Sequence, residues 1–211
     1  MAQGIAQRIA MTTRKRLSPE ESRAGALAAA RALLIEAGPQ AVTLKAVGAR
    51  VGRTHANLLH HFGSAAGLQR DLAAHLAMTV CESVAEAVRA SRAGLGSPRE
   101  VVDIAFDAFE REGGGALVSW MLATGHEDAI EPFVETIHSM VDDLNPEEDG
   151  HHDAMAAHRV THTVVLLALG QSLIGGPLAK SLRLPDSVAR DIAEKFIVED
   201  LVGRHQSVAQ G

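Results

Sequence analysis

The sequence predicts an all-α chain, and three observations predict it. Aromatic residues make up 3% of the 211, with no Tyr. The strands of sandwiches and barrels favour Tyr, Phe and Trp, so that scarcity argues against them. Ala, Leu, Arg and Glu, which favour helices, abound instead. Helix start and stop signals recur, and apolar residues return every three or four positions between them. With 46% hydrophobic and 22% charged residues, the chain can bury a sizeable core and is not a long disordered segment.

Residues 1–17 read as a flexible arm whose basic end is Arg14, Lys15 and Arg16. Ser18-Pro19-Glu20-Glu21 starts the first helix: Ser18 caps, Pro19 suits the first helical position, and Glu21 completes a capping box. Ala24, Leu27, Ala30 and Leu34 share one face, and Gly38-Pro39 ends the helix. Thr43 caps a short helix, Leu44 to Arg50, which Gly52 breaks. Thr54 caps another, His55 to His61, which Gly63 stops. Ser64 opens a long helix to about Ser91, with Leu68, Leu72, Leu76, Val80, Val84 and Val88 at intervals of four.

A loop follows at Gly94–Pro98. Residues 99–111 read as an amphipathic helix carrying Val101, Val102, Ala105, Phe106 and Phe109. Gly113-Gly114-Gly115 punctuates, and 116–124 and 131–144 continue in helical character. Residues 145–150 form an acidic loop. Two last helices, about 153–173 and 186–202, are expected to be separated at Gly175-Gly176-Pro177 and Pro185.

Charge is unevenly distributed along the chain. Residues 1–70 hold ten basic against three acidic residues, a net of +7. Residues 71–211 hold ten against twenty-three, a net of −13. A basic first third on an acidic body suits a nucleic-acid module fused to a soluble partner. The lone Cys81 excludes an internal disulfide and a cysteine-based zinc finger, and fits a reducing compartment. The most apolar stretch, Val164–Leu169, is interrupted by Gly170, Gln171 and Ser172 and falls far short of the ~20 residues of a spanning helix. No membrane partner and a cytoplasmic location are therefore expected.

The densest signal lies at residues 43–62. Two short helices joined by a tight turn, Val51-Gly52-Arg53-Thr54, make the helix-turn-helix pattern, whose second helix can enter a DNA major groove. Its start presents unpaired backbone N–H groups to phosphate. His55 and Asn57 sit early on that helix, and an Asn amide can contact adenine in bidentate fashion. Thr43 and Thr54 cap; Lys45, Arg53 and His60 add phosphate-seeking groups to the arm's Arg14, Lys15 and Arg16. Leu58 and Phe62 are expected in the core. The domains expected are 1–17 as the arm, 18–63 as the helix-turn-helix domain and 64–205 as a helical regulatory and dimerisation domain.

Residues 18–76 resemble the TetR family of transcriptional regulators. The resemblance rests on Val42-Thr43-Leu44, Ala49-Arg50-Val51-Gly52, Leu58-Leu59-His60-His61-Phe62-Gly63-Ser64 and Gly67-Leu68. It implies a DNA-binding domain followed by a C-terminal helical domain for ligand binding and dimerisation. The implied protein is a repressor that binds a palindromic operator in double-stranded DNA as a homodimer and answers to a small-molecule effector. Three positions depart from the family. Leu59 stands where a phosphate-contacting Tyr is usual, Ala65 where a Lys is usual, and Arg53 where an aliphatic residue is usual. Arg53, Arg50, Lys45 and the arm are the groups that compensate.

The resemblance places the effector pocket around residues 106–140, where Phe106, Phe109, Trp120 and Phe133 supply apolar walls and His126 and His138 polar groups; the same residues suit an ordinary core. His126-Glu127 starts like a zinc-binding His-Glu-x-x-His helix, but position 130 is Ile130. His158 and His162 lie four apart, near His151, His152 and Asp153, and read as interfacial or solvated histidines. Gly170-Gln171-Ser172 lacks the frame of a nucleophile elbow. No metal, no cofactor and no enzymatic activity are expected. The competing readings are a helical dimer with a degenerate DNA-binding module, or a histidine-dependent metal-binding protein or enzyme. The last two helices supply the expected dimer faces, Val160, Val164, Leu167 and Ile174 on one and Val188, Ile192, Phe196 and Val202 on the other.

Overall fold

The computed structural model describes residues 18–144 and 154–208. Among them lie ten α-helices and no strand: α1 Pro19–Ala37, α2 Leu44–Val51, α3 His55–Phe62, α4 Ala65–Arg92, α5 Pro98–Glu110, α6 Gly114–Ala123, α7 Glu131–Leu144, α8 Ala154–Gly170, α9 Gly176–Leu182 and α10 Val188–Val208. The arm with Arg14, Lys15 and Arg16, the acidic loop, and His151, His152 and Asp153 lie outside the described residues.

Local chemistry sets the helix starts. Ser18 Oγ accepts from the Glu21 N–H at 3.1 Å while Glu21 accepts from the Ser18 N–H at 2.7 Å, so the capping box closes in both directions. Thr43, Thr54, Ser64 and Ser97 cap α2, α3, α4 and α5 in turn, each accepting from the N–H three residues on.

Helices α1 to α4 close over a first core of Leu27, Ala30, Leu34, Val42, Leu44, Val47, Leu58, Phe62, Leu68 and Leu72, joined by Leu117 and Met121 of α6. A second core, under α5, α8 and α10, holds Val102, Phe106, Phe109, Val164, Ala168 and Ala193. Helix α4 serves both ends of the molecule. Residues four apart on a helix advance by about 40° around it at each step. The stripe that begins at Leu68 and Leu72 in the first core therefore rotates: Leu76 borders both the core and the cavity, and Val80, Val84 and Val88 face a different neighbour.

The C-terminal helices differ from expectation. Gly175-Gly176-Pro177 does not break the chain. A π-helical turn, Gln171–Gly175, joins α8 to α9, and Pro177 falls in the first turn of α9, where its missing N–H costs nothing. The run Met155–Leu182 is thus one helical stretch, by length and composition enough to cross a membrane. Its Val160, Val164 and Leu167 pack inward, which corrects their assignment to a dimer face. The break comes at Arg183, whose left-handed backbone (φ 57°) ends α9.

An ion cluster fastens α10 to α5. The Arg190 guanidinium lies 2.9 Å from Asp103 Oδ1 and 2.7 Å from Asp107 Oδ1, bonds Glu110, and sits 5.1 Å from the Phe106 ring centroid. Arg99 reaches the same Asp103 at 3.1 Å and Asp191 at 2.9 Å. Burial pushes the Asp103 carboxyl up, but hydrogen bonds from Arg190 and Arg99 more than reverse this and hold it below the usual carboxylate range. A depressed folded pKa stabilises fully above the unfolded value of about 3.9 and is lost as pH falls through the folded value. The acid-unfolding curve of Asp103→Asn should accordingly be shallower than the parent's below about pH 4. Identical acid limbs would show that the cluster contributes nothing to pH-dependent stability.

Candidate nucleic-acid interface and cavity

The turn between α2 and α3 depends on a close backbone approach. The Arg53 N–H donates to the Gly48 carbonyl at 2.8 Å, and a Cβ at Gly48 would lie 2.9 Å from the Arg53 carbonyl oxygen. Gly52, at φ +67°, supplies the left-handed residue that reverses the chain. Leu58 and Phe62 of α3 are buried against α1 and α4, so the opposite side of α3 is turned to solvent.

That outer surface carries most of the expected groups. Thr43, Lys45, Arg53, Thr54, His55 and His60 are exposed. The Thr43 and Thr54 hydroxyls are held by their caps at 3.1 and 3.2 Å, which fixes the exposed first turns of α2 and α3. Lys45 and Arg53 make no ion pair with any described residue, so their charges face outward.

Two groups are placed differently. Asn57, expected at an adenine edge, is half-buried, and its Oδ1 is shut from solvent without a hydrogen-bond partner among the described residues. Position 57 immediately precedes Leu58 and lies on the flank of the Leu58–Phe62 stripe, so its side chain is drawn against the domain. Arg50 is clamped by Glu36 of α1 at 3.0 and 2.5 Å. That hydrogen-bonded pair holds Glu36 below and Arg50 above their ordinary values, and removes Arg50 from the freely available cations. Leu59 is 43% exposed on the outer side of α3, and Ala65 is exposed at the start of α4.

Behind this domain lies a cavity of about 200 Å³. Helix α4 gives it Leu76, Val80, Cys81, Val84 and Val88, and the remaining walls come mainly from α5, α7 and α8, with Phe109, Phe133, Met140 and Val160 among them. Polar atoms come from Ser91, Arg92, Glu112 and Thr161. Burial pushes the Cys81 thiol up to about 11, so it lines the wall as a neutral group rather than as a nucleophile.

Of the six residues expected around a pocket, Phe109 and Phe133 line this cavity. Phe106 does not: it is fully buried in the second core, beneath Arg190. Trp120 and His126 are exposed at and beyond the end of α6, and neither lines the cavity. His138 is exposed on α7, turned from the cavity toward Asp142 and His158. The α4 wall was visible as an apolar stripe, but nothing in a stripe distinguishes a cavity wall from a packed one.

Residues 26–72 match the family described as bacterial regulatory proteins, tetR family. Among curated proteins none matches the chain. Among solved structures, the chain is similar to the crystal structure of a TetR transcriptional regulator from Legionella pneumophila. The TM-score is 0.55 at 19% identity, covering 88% of this chain and 98% of that one. The family match lies on the helix-turn-helix itself, so residues 26–72 form a DNA-binding domain of the tetR family type, and the all-helical fold is shared along most of the chain.

Proposed function

We propose that the chain is a ligand-responsive repressor, not an enzyme, which binds a palindromic operator as a homodimer and is released by an apolar or amphipathic small molecule in the α4–α8 cavity. The observation that carries this reading is the continuity of α4. Its first turns pack on Phe62 of α3, and its later turns wall the cavity from Leu76 to Arg92. A ligand that favours one position of α4 over another shifts α3 by the same choice, and its effect is limited by its differential affinity for the two states. The cavity's lining, largely aliphatic with a few polar residues, supports an apolar or amphipathic ligand.

The dimer is proposed through the outer side of α8 to α10. Leu166, Leu173, Ile174, Leu178, Ile192 and Phe196 are all more than a third exposed, and their neighbours Val164 and Ala193 are buried. That concentration of exposed apolar residues on α8 to α10 supports an interaction face there. In this reading Lys45, Arg53, His55, His60 and the helix starts capped by Thr43 and Thr54 contact DNA, with the arm residues Arg14, Lys15 and Arg16 as an added phosphate clamp. Asn57, half-buried, reads a base only by turning its amide outward.

Gel shifts with DNA from upstream of the protein's own gene, over a salt series, test the reading. Replacing Lys45 and Arg53 with Ala should weaken binding to all sequences and lower the salt slope by about 2, one unit per lost phosphate contact. An unchanged slope would remove both residues from the interface. A parent that binds no DNA at low salt would favour a degenerate module, in keeping with exposed Leu59.

A further inference from the structure

We infer that His138 and Asp142 of α7 and His158 of α8 form a binding site for a divalent transition-metal ion of the zinc type. The inference goes beyond gene regulation and does not depend on DNA binding. His138 and Asp142 are one helical turn apart and so share a face of α7. The packing of α8 against α7 brings His158 to the same point. His138 Nε2 lies 3.2 Å from Asp142 Oδ2, and His158 Nε2 lies 3.2 Å from Asp142 Oδ1. All three ligand atoms fall within 4.8 Å of one another, and the two imidazole rings meet edge to face at 5.6 Å.

These separations suit an ion. Bonds of about 2.0–2.1 Å in tetrahedral geometry place donor atoms about 3.4 Å apart. The two carboxylate–imidazole distances are already close to that value, and the side chains are 54%, 56% and 37% exposed, so small rotations can complete the set. Two imidazole nitrogens and one carboxylate oxygen favour zinc, nickel, cobalt or copper over magnesium or calcium, which take oxygen ligands. Three protein ligands among the described residues leave a fourth coordination position. Ile137, Met140 and Val141 of α7 and Ala157, Val160 and Thr161 of α8 line the cavity, so an ion here would fasten together two of its walls.

Zinc titration of the tag-free full chain, in competition with a chromophoric chelator, tests the site. The parent should bind one zinc ion per chain, and zinc should raise its melting temperature. His138→Gln, Asp142→Asn and His158→Gln should each weaken zinc binding at least about tenfold and abolish the thermal shift, with melting in the absence of metal unchanged. The pair His151→Ala and His152→Ala should bind as the parent does, and magnesium should produce no shift. Parent-like affinity in the first three variants, loss of zinc in the His151/His152 pair, or no zinc uptake by the parent would each overturn the assignment.

Discussion

Gly67→Ala is expected to unseat the recognition helix. Gly67 lies in the first turn of α4, buried, with its N–H bonded to Ser64 Oγ at 2.9 Å. A Cβ there would stand 2.1 Å from the Phe62 carbonyl oxygen. The obstructing atom is backbone, so no rotamer change relieves it. Either α4 must draw away from the end of α3, or the Phe62–Ser64 turn must open, although the Ser64 N–H bonds that same carbonyl at 2.8 Å. Forcing an extra carbon into a packed site typically costs about 1–3 kcal/mol, and a contact with rigid backbone belongs at the upper end. Because Phe62 anchors α3 in the core, any displacement moves His55 and His60 away from the positions in which they are proposed to meet DNA. The expected result is a lower denaturation midpoint together with loss of operator binding at salt concentrations the parent tolerates. Gly25→Ala is the matched control. Gly25 is exposed in α1, a Cβ there would meet nothing within 4 Å, and Ala should stabilise by about 0.5–1 kcal/mol. Equal stability of parent and Gly67→Ala would show that α3 and α4 are not seated as described.

Phe106→Ala is expected to cost about 3–5 kcal/mol of folding stability, the usual range for a fully buried Phe. Its ring is 0% exposed, packed with Val102, Val164, Ala168 and Ala193, and it carries the Arg190 guanidinium 5.1 Å above its centroid. Truncation would leave a void on one side and deprive Arg190 of its aromatic platform on the other. The loss should therefore exceed that of Phe109→Ala, whose ring already borders open space in the cavity. Denaturant melts of the two variants measure the difference. In uptake of an apolar fluorescent probe the order should reverse, with Phe109→Ala altered more than Phe106→Ala. A Phe106 variant that retains full stability would return that residue to the cavity wall.

Much of the DNA-binding domain was legible in residues 18–72. Its caps, Ser18, Thr43, Thr54 and Ser64, act through bonds to N–H groups three residues away, and its turn glycines act through local backbone freedom. Both kinds of signal lie within a few residues of one another, so a linear reading finds them. The buried Leu58 and Phe62 followed from their spacing.

The C-terminal half was legible as helices but not as sites. Phe106 and Phe109 are three residues apart on one helix and share the second core, and only their neighbours on α8, α10 and α7 enclose Phe106 there and give Phe109 a side on the cavity. Arg190 and Asp103, His158 and Asp142, and Gly67 and Phe62 likewise acquire their roles from contacts between elements. The apparent break at Gly175-Gly176-Pro177 vanished because Pro177 needs no hydrogen-bond partner in the first turn of α9 and the π turn before it keeps the helical path. Sequence alone determined where helices begin, which faces are apolar and where the helix-turn-helix lies, because those properties depend on neighbours along the chain. Only tertiary structure decided which apolar face encloses a cavity, which charges are already paired and which histidines meet, because those depend on distances between helices that no local pattern encodes.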